Sequence, residues 1–305
     1  MPTDPDPTLY VAFWAVFGAI VGSFLNVAIY RLPRPDLTVS KPARSQCPSC
    51  GHGIRWYENL PIVSWVALRG RCAACGWRIP VRYPLVEAIT SGLFAWSAWT
   101  FGPLDPVMTG IAALVWAGLV VATFVDFDFW EIPDEVSIGG MVLGPILSVL
   151  VPRLHDSTEL ARHFAGPGGQ VDSVAAGIAS IAGLAVGGGV LLGIGVVGKW
   201  VYRKDAMGLG DVKLLAAGGA FIGPGGALVA LMIASVIGSI VGILSMLGWL
   251  LLLRRRVRRR GARRSFASSV RTARRVGNYL PFGPYLGMGV GIVLLAWNHV
   301  LSLLP

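Results

Sequence analysis

Charge is scarce in this chain, and most of what there is carries one sign. Only 14% of the 305 residues are Asp, Glu, Lys or Arg, and 26 basic residues stand against 16 acids. A soluble chain of this length rarely has so little charge together with 54% hydrophobic residues, whereas a polytopic membrane protein does. Histidine is nearly missing: His52, His155, His163 and His299 are scattered, and no Ser/His or Cys/His arrangement for nucleophilic catalysis is apparent. Cysteine is confined to two close pairs, too few for a disulfide framework. A cleavable signal peptide is not expected either, because the first apolar run is too long and has no basic leader.

What is present in quantity is long uncharged sequence. Spanning ~30 Å of hydrocarbon takes about 20 apolar residues. Candidates are Tyr10–Tyr30, Leu85–Phe101 (with Glu87 near its start), Val107–Val125, Val136–Val151, Val174–Gly198, Ala227–Leu253 and Tyr279–Leu304. Val212–Pro224 is a shorter, glycine-rich eighth. The basic residues orient them. Residues 31–84 hold nine Lys or Arg, 199–213 hold four and 254–275 hold eleven, so only Arg153 and Arg162 lie elsewhere. The positive-inside rule makes all three regions cytoplasmic. Eight spans with both termini outside satisfy this. Seven do not, because 199–213 and 254–275 must share a side. The expected fold is therefore an all-α polytopic membrane protein of about eight transmembrane helices. A small cytoplasmic cysteine domain sits between the first two. The boundaries are a first span over 1–31, the cysteine domain over 32–84 and a membrane-embedded domain over 85–305.

Within that topology two carboxylates stand out. Asp126 ends the uncharged run Val107–Val125, and Asp211 closes Gly208-Leu209-Gly210-Asp211 before the next apolar segment. Ionisable groups at the ends of spans are costly enough to be functional suspects. Charge distribution puts both at the cytoplasmic face. Two carboxyl groups about 3 Å apart share a proton, so one activates water while the other donates to a scissile carbonyl. Taken singly, Asp126 reads equally well as an interfacial acid, and Asp211 as an N-cap. Asp128 would lie about 200° around a continuing helix from Asp126 and face away. Pro133, with Asp134 and Glu135 behind it, reads as a helix start. A proton-coupled transporter using the two aspartates as relay groups is the alternative of a different class.

Cys47-Pro-Ser-Cys50 and Cys72-Ala-Ala-Cys75 are separated by 21 residues. Paired C-x2-C turns near this spacing are a zinc-ribbon signal, with Gly51 and Gly76 supplying the tight turn after each pair. The alternatives, disulfides and a redox dithiol, fit poorly with a cytoplasmic segment that has no βαβ pattern. About fifty residues make too small a core, so a metal would help them fold. Two other signals mislead. Gly193-Ile-Gly195-Val-Val-Gly198 spells GxGxxG, but it lies in an apolar span with no preceding strand and reads as helix packing. The arginine run 254–275 reads as an anchor to anionic lipid headgroups, not as a nucleic-acid site. Asp128, Glu131, Asp134 and Glu135 are the acids suited to receive a basic peptide. Most of the eleven tryptophans flank spans and read as interfacial anchors.

The stretch Gly208-Leu209-Gly210-Asp211-Val212-Lys213-Leu214-Leu215 resembles the GxGD signature of the type IV prepilin peptidases. Asp126 with Ile132-Pro133-Asp134 resembles the other aspartate motif of that family. The resemblance extends to Gly22-Ser23-Phe24-Leu25-Asn26-Val27, Arg31-Leu32-Pro33, Asn59-Leu60-Pro61-Ile62-Val63-Ser64-Trp65 and Leu68-Arg69-Gly70-Arg71-Cys72. It continues through Arg82-Tyr83-Pro84-Leu85-Val86-Glu87 to Pro281-Phe282-Gly283-Pro284. It implies cleavage of the basic leader from type IV pilins or type II secretion pseudopilins at a bacterial inner membrane. N-methylation of the new terminus from S-adenosylmethionine usually follows. By that resemblance Asp126 and Asp211 are the catalytic pair. Cys47, Cys50, Cys72 and Cys75 hold structural zinc, and Gly70 and Arg71 are candidates for the methyl-transfer site. A peptidase without methyl transfer is the nearest variant of this reading. Which pilin is cut and how many copies assemble are not legible in the residues.

Overall fold

The computed structural model describes residues 6–34, 36–39, 45–166, 168–203, 207–260 and 281–301. Lys41, Arg44, Lys204, the N-terminal Asp4 and the 261–275 part of the arginine run lie outside them. Among the described residues there is no β-strand; isolated antiparallel bridges join Gln46 to Gly53 and Arg71 to Arg78.

The helices begin where capping chemistry permits. Helix α1 (Pro7–Arg31) has Pro7 at its first position, and the Asp6 carboxylate accepts the Thr8 N–H at 2.8 Å. A short α2 (Val63–Ala67) lies in the cysteine segment, and α3 (Arg82–Phe101) follows it. Helix α4 (Pro106–Phe129) repeats the Asp-Pro start: Asp105 caps it by accepting the Met108 N–H at 3.2 Å. It ends on Trp130 in the left-handed region. Helix α5 (Asp134–Leu150) has Pro133 as its cap residue, one position earlier than a first-turn proline, with Asp134 and Glu135 in its first turn. After a short α6 (Glu159–Ala165) come α7 (Ser173–Tyr202), α8 (Leu209–Arg260) and α9 (Gly283–Leu301).

Four of these are long and apolar enough to cross a membrane: Pro7–Arg31, Pro106–Phe129, Ser173–Val201 and Leu209–Trp249. Fewer than eight meet that test for physical reasons. Helix α3 carries Arg82 and the buried Glu87, and α5 has only 17 residues, while α9 is described with its side chains only as far as Ala296. Helix α8 is moreover two limbs. Gly223 leaves helical geometry (φ 73°, ψ 177°) and Pro224 follows. Proline has no N–H for the Ala220 carbonyl four residues back. That carbonyl accepts instead from the Ser180 hydroxyl at 2.7 Å, with the Ser148 hydroxyl at 3.5 Å. A buried polar cluster surrounds the break. His155 meets Ser148 at 3.0 Å and Thr158 at 3.1 Å, and Thr158 fills the space where Gly223 lacks a side chain.

Packing forms two groups joined by α4. Helices α1 and α3 pair closely, and α4 lies against both. Helices α5, α7 and α9 pack around α8, and α9 returns to α4. Helix α4 is the shared core, burying Ala112, Trp116, Leu119, Ala122 and Val125. Helix α7 touches the first limb of α8 backbone to backbone, since a Cβ on Gly183 would collide with the Gly219 carbonyl. The GxGxxG stretch is inside α7 as expected, but it is not the packing face. Gly193 meets nothing, and the close approach falls ten residues earlier.

Candidate active site and cysteine cluster

Asp126 stands in the last turn of α4 and is only 6% exposed. Its Oδ2 accepts the N–H of Gly283, the first residue of α9, at 3.0 Å. The approach requires glycine there: a Cβ on Gly283 would lie 2.6 Å from the same oxygen. Asp211 stands in the first turn of α8, inside the helix instead of capping it. Ile132, buried in the turn between α4 and α5, is the wall they share. Its side chain would be 3.2 Å from a Cβ on Gly210 and 3.1 Å from one on Gly283. Residues far apart in the chain thus converge at one set of helix ends.

The neighbouring acids divide. Asp128 is exposed, faces away from Asp126 as helical spacing requires, and pairs with Arg82 at the start of α3. Asp134 pairs with Lys213 at 2.7 Å. Two of the four acids suited to a basic peptide are thus already neutralised by this chain. Glu131 and Glu135 are exposed. Glu135 lines the mouth of an apolar cleft of about 290 Å³ between α1, α4, α5, α8 and α9. The roles of Gly283 and Ile132 were not legible in the sequence, where both are only neighbours in a motif.

The cysteines form the second cluster. Cys47 N–H donates to His52 O and Gly51 N–H to Cys47 O, both at 2.9 Å. Cys72 N–H donates to Trp77 O at 2.8 Å, and Gly76 N–H to Cys72 O at 2.9 Å. The two turns repeat one pattern, with Gly51 and Gly76 both at φ 71°. They bring the four sulfurs within 4.8 Å of one another, with Cys47 Sγ 3.9 Å from Cys75 Sγ, and all four are free thiols. Tetrahedral metal–sulfur bonds of about 2.3 Å would set sulfurs roughly 3.8 Å apart, so the donor set fits a thiolate-bound ion. The thiols titrate unequally. Backbone N–H groups of Cys75 and Ala74 lower Cys72 to about 6. The His52 backbone favours the Cys50 thiolate, but desolvation and the three neighbouring sulfurs win and raise it to about 11.

Beside this cluster, Gly70 takes φ 64° with the Trp65 indole against it; a Cβ would be 2.9 Å from the ring. Arg71 is exposed and bridges to Arg78 across the second cysteine turn.

Comparison with known proteins bears on both clusters. Residues 16–101 match the model of the bacterial peptidase A24 N-terminal domain, and 113–243 match that of the type IV leader peptidase family. A prepilin leader peptidase/N-methyltransferase of Pseudomonas putida is 34% identical over 319 residues, covering 96% of this chain and 92% of that protein. The chain belongs to the type IV leader peptidase family. A protein of the same name from Myxococcus xanthus (strain DK1622) is 38% identical over 240 residues, 78% of this chain and 64% of the relative's length. That of Stutzerimonas stutzeri is 32% identical over 320 residues, covering 97% and 94%. No solved structure matches. The matched stretches divide at the architecture's own seam. The first holds most of α1, the cysteine segment and α3; the second runs from α4 into the second limb of α8. Gly283, which holds Asp126, lies outside both. Family and apolar helices together make this a membrane protein, and a transporter is no longer a competing class.

Proposed function

We propose that the chain cleaves the basic leader of type IV prepilins or type II secretion pseudopilins and then N-methylates the new terminus. The observation that supports this reading is the convergence on Ile132 of Gly283, whose N–H holds Asp126, and Gly210, the residue before Asp211. In this mechanism the ionised aspartate takes a proton from water, and that water attacks the scissile carbonyl. The protonated partner donates first to the carbonyl oxygen and later, through proton exchange, to the leaving amine. No covalent intermediate is required. The Gly283 N–H fixes one oxygen of Asp126, leaving the other for water. For methyl transfer, S-adenosylmethionine would supply the methyl group to the freed amine. Gly70 and Arg71 are the residues proposed to serve this step.

Cys47, Cys50, Cys72 and Cys75 would hold zinc as thiolates, and the ion would supply rigidity to residues 47–80. The domain division is 1–31, 32–84 and 85–305. Eight crossings with the cysteine domain and active site at the cytoplasmic face of the inner membrane fit the basic residues. The break at Gly223 supports the eighth, since it divides α8 into two helical limbs. The first limb, residues 209–222, is about 21 Å long and so crosses only where the bilayer is thin. Glu131 and Glu135 receive the leader. The arginine run, whose 261–275 part lies outside the described residues, is read from its sequence as an anchor to anionic lipid headgroups and not as a nucleic-acid site. The test is incubation of purified protein with prepilin and S-adenosylmethionine, followed by the mass of the new N-terminus. A methylated mature terminus supports both steps; an unmethylated one leaves only the peptidase; an uncut substrate removes the reading.

A further inference from the structure

The peptidase mechanism leaves one buried carboxylate unused. Glu87, in the second turn of α3, is 8% exposed. It lies where α1 comes closest, since a Cβ on Gly22 would be 2.8 Å from its Cα. Asn26 of α1 reaches across to the Tyr83 carbonyl at 3.1 Å, so the two helices are tied on both sides of it. A buried carboxylate is expensive unless its acceptors are used. Glu87 Oε2 accepts the N–H of Ile62, 25 residues earlier in the cysteine segment, at 2.7 Å.

Ile62 needs a holder. It is a β-branched residue at φ 61°, a conformation that persists only when its surroundings impose it. It is also the residue from which α2 starts. From there the contacts run on without a gap. Trp65 of α2 donates from Nε1 to Ile79 O at 3.2 Å and lays its ring on Gly70. The Gly70 N–H donates to Trp65 O, and the Ile79 N–H to Gly70 O, both at 2.8 Å. Gly70 leads into Arg71 and Cys72. The segment from Ile62 to the start of α3 is thus a loop pinned at both ends by one helix: covalently at Arg82 and through the Glu87 carboxylate at Ile62.

We propose that Glu87 is a positioning residue for methyl transfer. It fixes Ile62 and, through α2 and Trp65, sets the Gly70–Arg71 stretch and the second cysteine pair against the membrane helices. The inference rests on the two-step reading above. Cleavage is assigned to α4, α8 and α9, and the Glu87–Ile62–Trp65–Gly70 contacts involve residues of none of these helices.

The experiment compares full-length wild type, Glu87→Ala and Glu87→Gln. Each receives intact prepilin for cleavage and, separately, pre-cleaved pilin with S-adenosylmethionine for methylation. Hydrogen exchange of the Ile62 amide is measured on the same preparations. Glu87→Ala should lose about tenfold or more in methylation of pre-cleaved pilin, the scale on which small misplacements act. Its cleavage rate per folded molecule should stay within about twofold. Glu87→Gln, which keeps an acceptor oxygen, should restore most of the methylation, and Ile62 should exchange faster only in the alanine variant. Wild-type methylation by Glu87→Ala, or equal loss of both activities, overturns the proposal. So does unchanged Ile62 exchange. If wild type itself fails on pre-cleaved pilin, the two-step reading is at fault, and the positioning role falls with it. Ile62 exchange then shows whether the tether exists.

Discussion

Replacing Gly283 by alanine probes the site at its tightest point. The added Cβ would sit 2.6 Å from Asp126 Oδ2 and 3.1 Å from Ile132 Cδ1, where ordinary contact begins at 3.4 Å. Neither neighbour yields cheaply, because both are buried among helix ends. The carboxylate must therefore retreat by roughly 0.8 Å and give up the Gly283 N–H. A hydrogen bond to a charged group is worth about 1.5–3 kcal/mol, which is roughly 10- to 150-fold in rate if lost from the reacting geometry. Misplacement by about 1 Å costs roughly 100-fold by itself. The two effects describe one displacement and do not add, so the expected loss in kcat/KM for prepilin cleavage is about 100-fold. Gly110→Ala in the same α4, with nothing within 4 Å of its Cβ, is the control and should leave the rate unchanged. Both variants should retain the helical content and thermal stability of a folded protein. Cleavage by Gly283→Ala within about threefold of wild type would refute the role of this contact.

Asp126→Asn and Asp211→Asn should each abolish cleavage, and the double variant should be no worse than either, because the pair acts as a unit. Asp128→Asn should stay active, since that side chain is engaged by Arg82; a dead Asp128→Asn with a live Asp126→Asn would move the assignment by two residues. Purified protein should carry about one zinc per chain by metal analysis, and replacing any one of Cys47, Cys50, Cys72 or Cys75 by serine should release it. His155 makes stability depend on pH. Burial lowers its pKa from 6.5 to about 4, so the unfolded chain binds the proton more readily. The stabilisation is complete above pH 6.5 and is lost as pH falls toward 4, and His155→Gln should flatten that part of the melting curve.

Long uncharged runs and the placement of basic residues were enough to find the helices, because hydrocarbon thickness and the positive-inside rule act on composition directly. Asp126 and Asp211 were legible for the same reason: a carboxylate at the end of an apolar run is costly and therefore conspicuous. The cysteine pairs were legible through spacing alone, and the matching turns at Gly51 and Gly76 are what that spacing implies. Contacts between distant elements were not legible. Nothing local marks Gly283 as the donor to Asp126, since the requirement arises only when α9 packs beside α4. Nor does the sequence say that Asp134 meets Lys213 or that Glu87 meets Ile62. The GxGxxG stretch shows the converse, since a pattern of small residues fits a packing face only if a neighbour is there.

The acids of this site illustrate how helix ends do what single ion pairs cannot. Exposed pairs such as Arg82–Asp128 and Lys213–Asp134 contribute about 0–1 kcal/mol each, too little to hold several carboxylates together. What they supply is register. Asp128, two residues after Asp126, is tied to the start of α3, and Lys213, two residues after Asp211, is tied to the start of α5. The electrostatic support comes from the backbone. Helices α5, α8 and α9 begin close to Ile132, Gly210 and Gly283, and the N–H at the start of α9 reaches Asp126. The Gly283 N–H on Asp126 is the direct instance. Only α4 brings a negative end. Such an arrangement tolerates a carboxylate, and it also tolerates the oxyanion that forms when water attacks a peptide carbonyl.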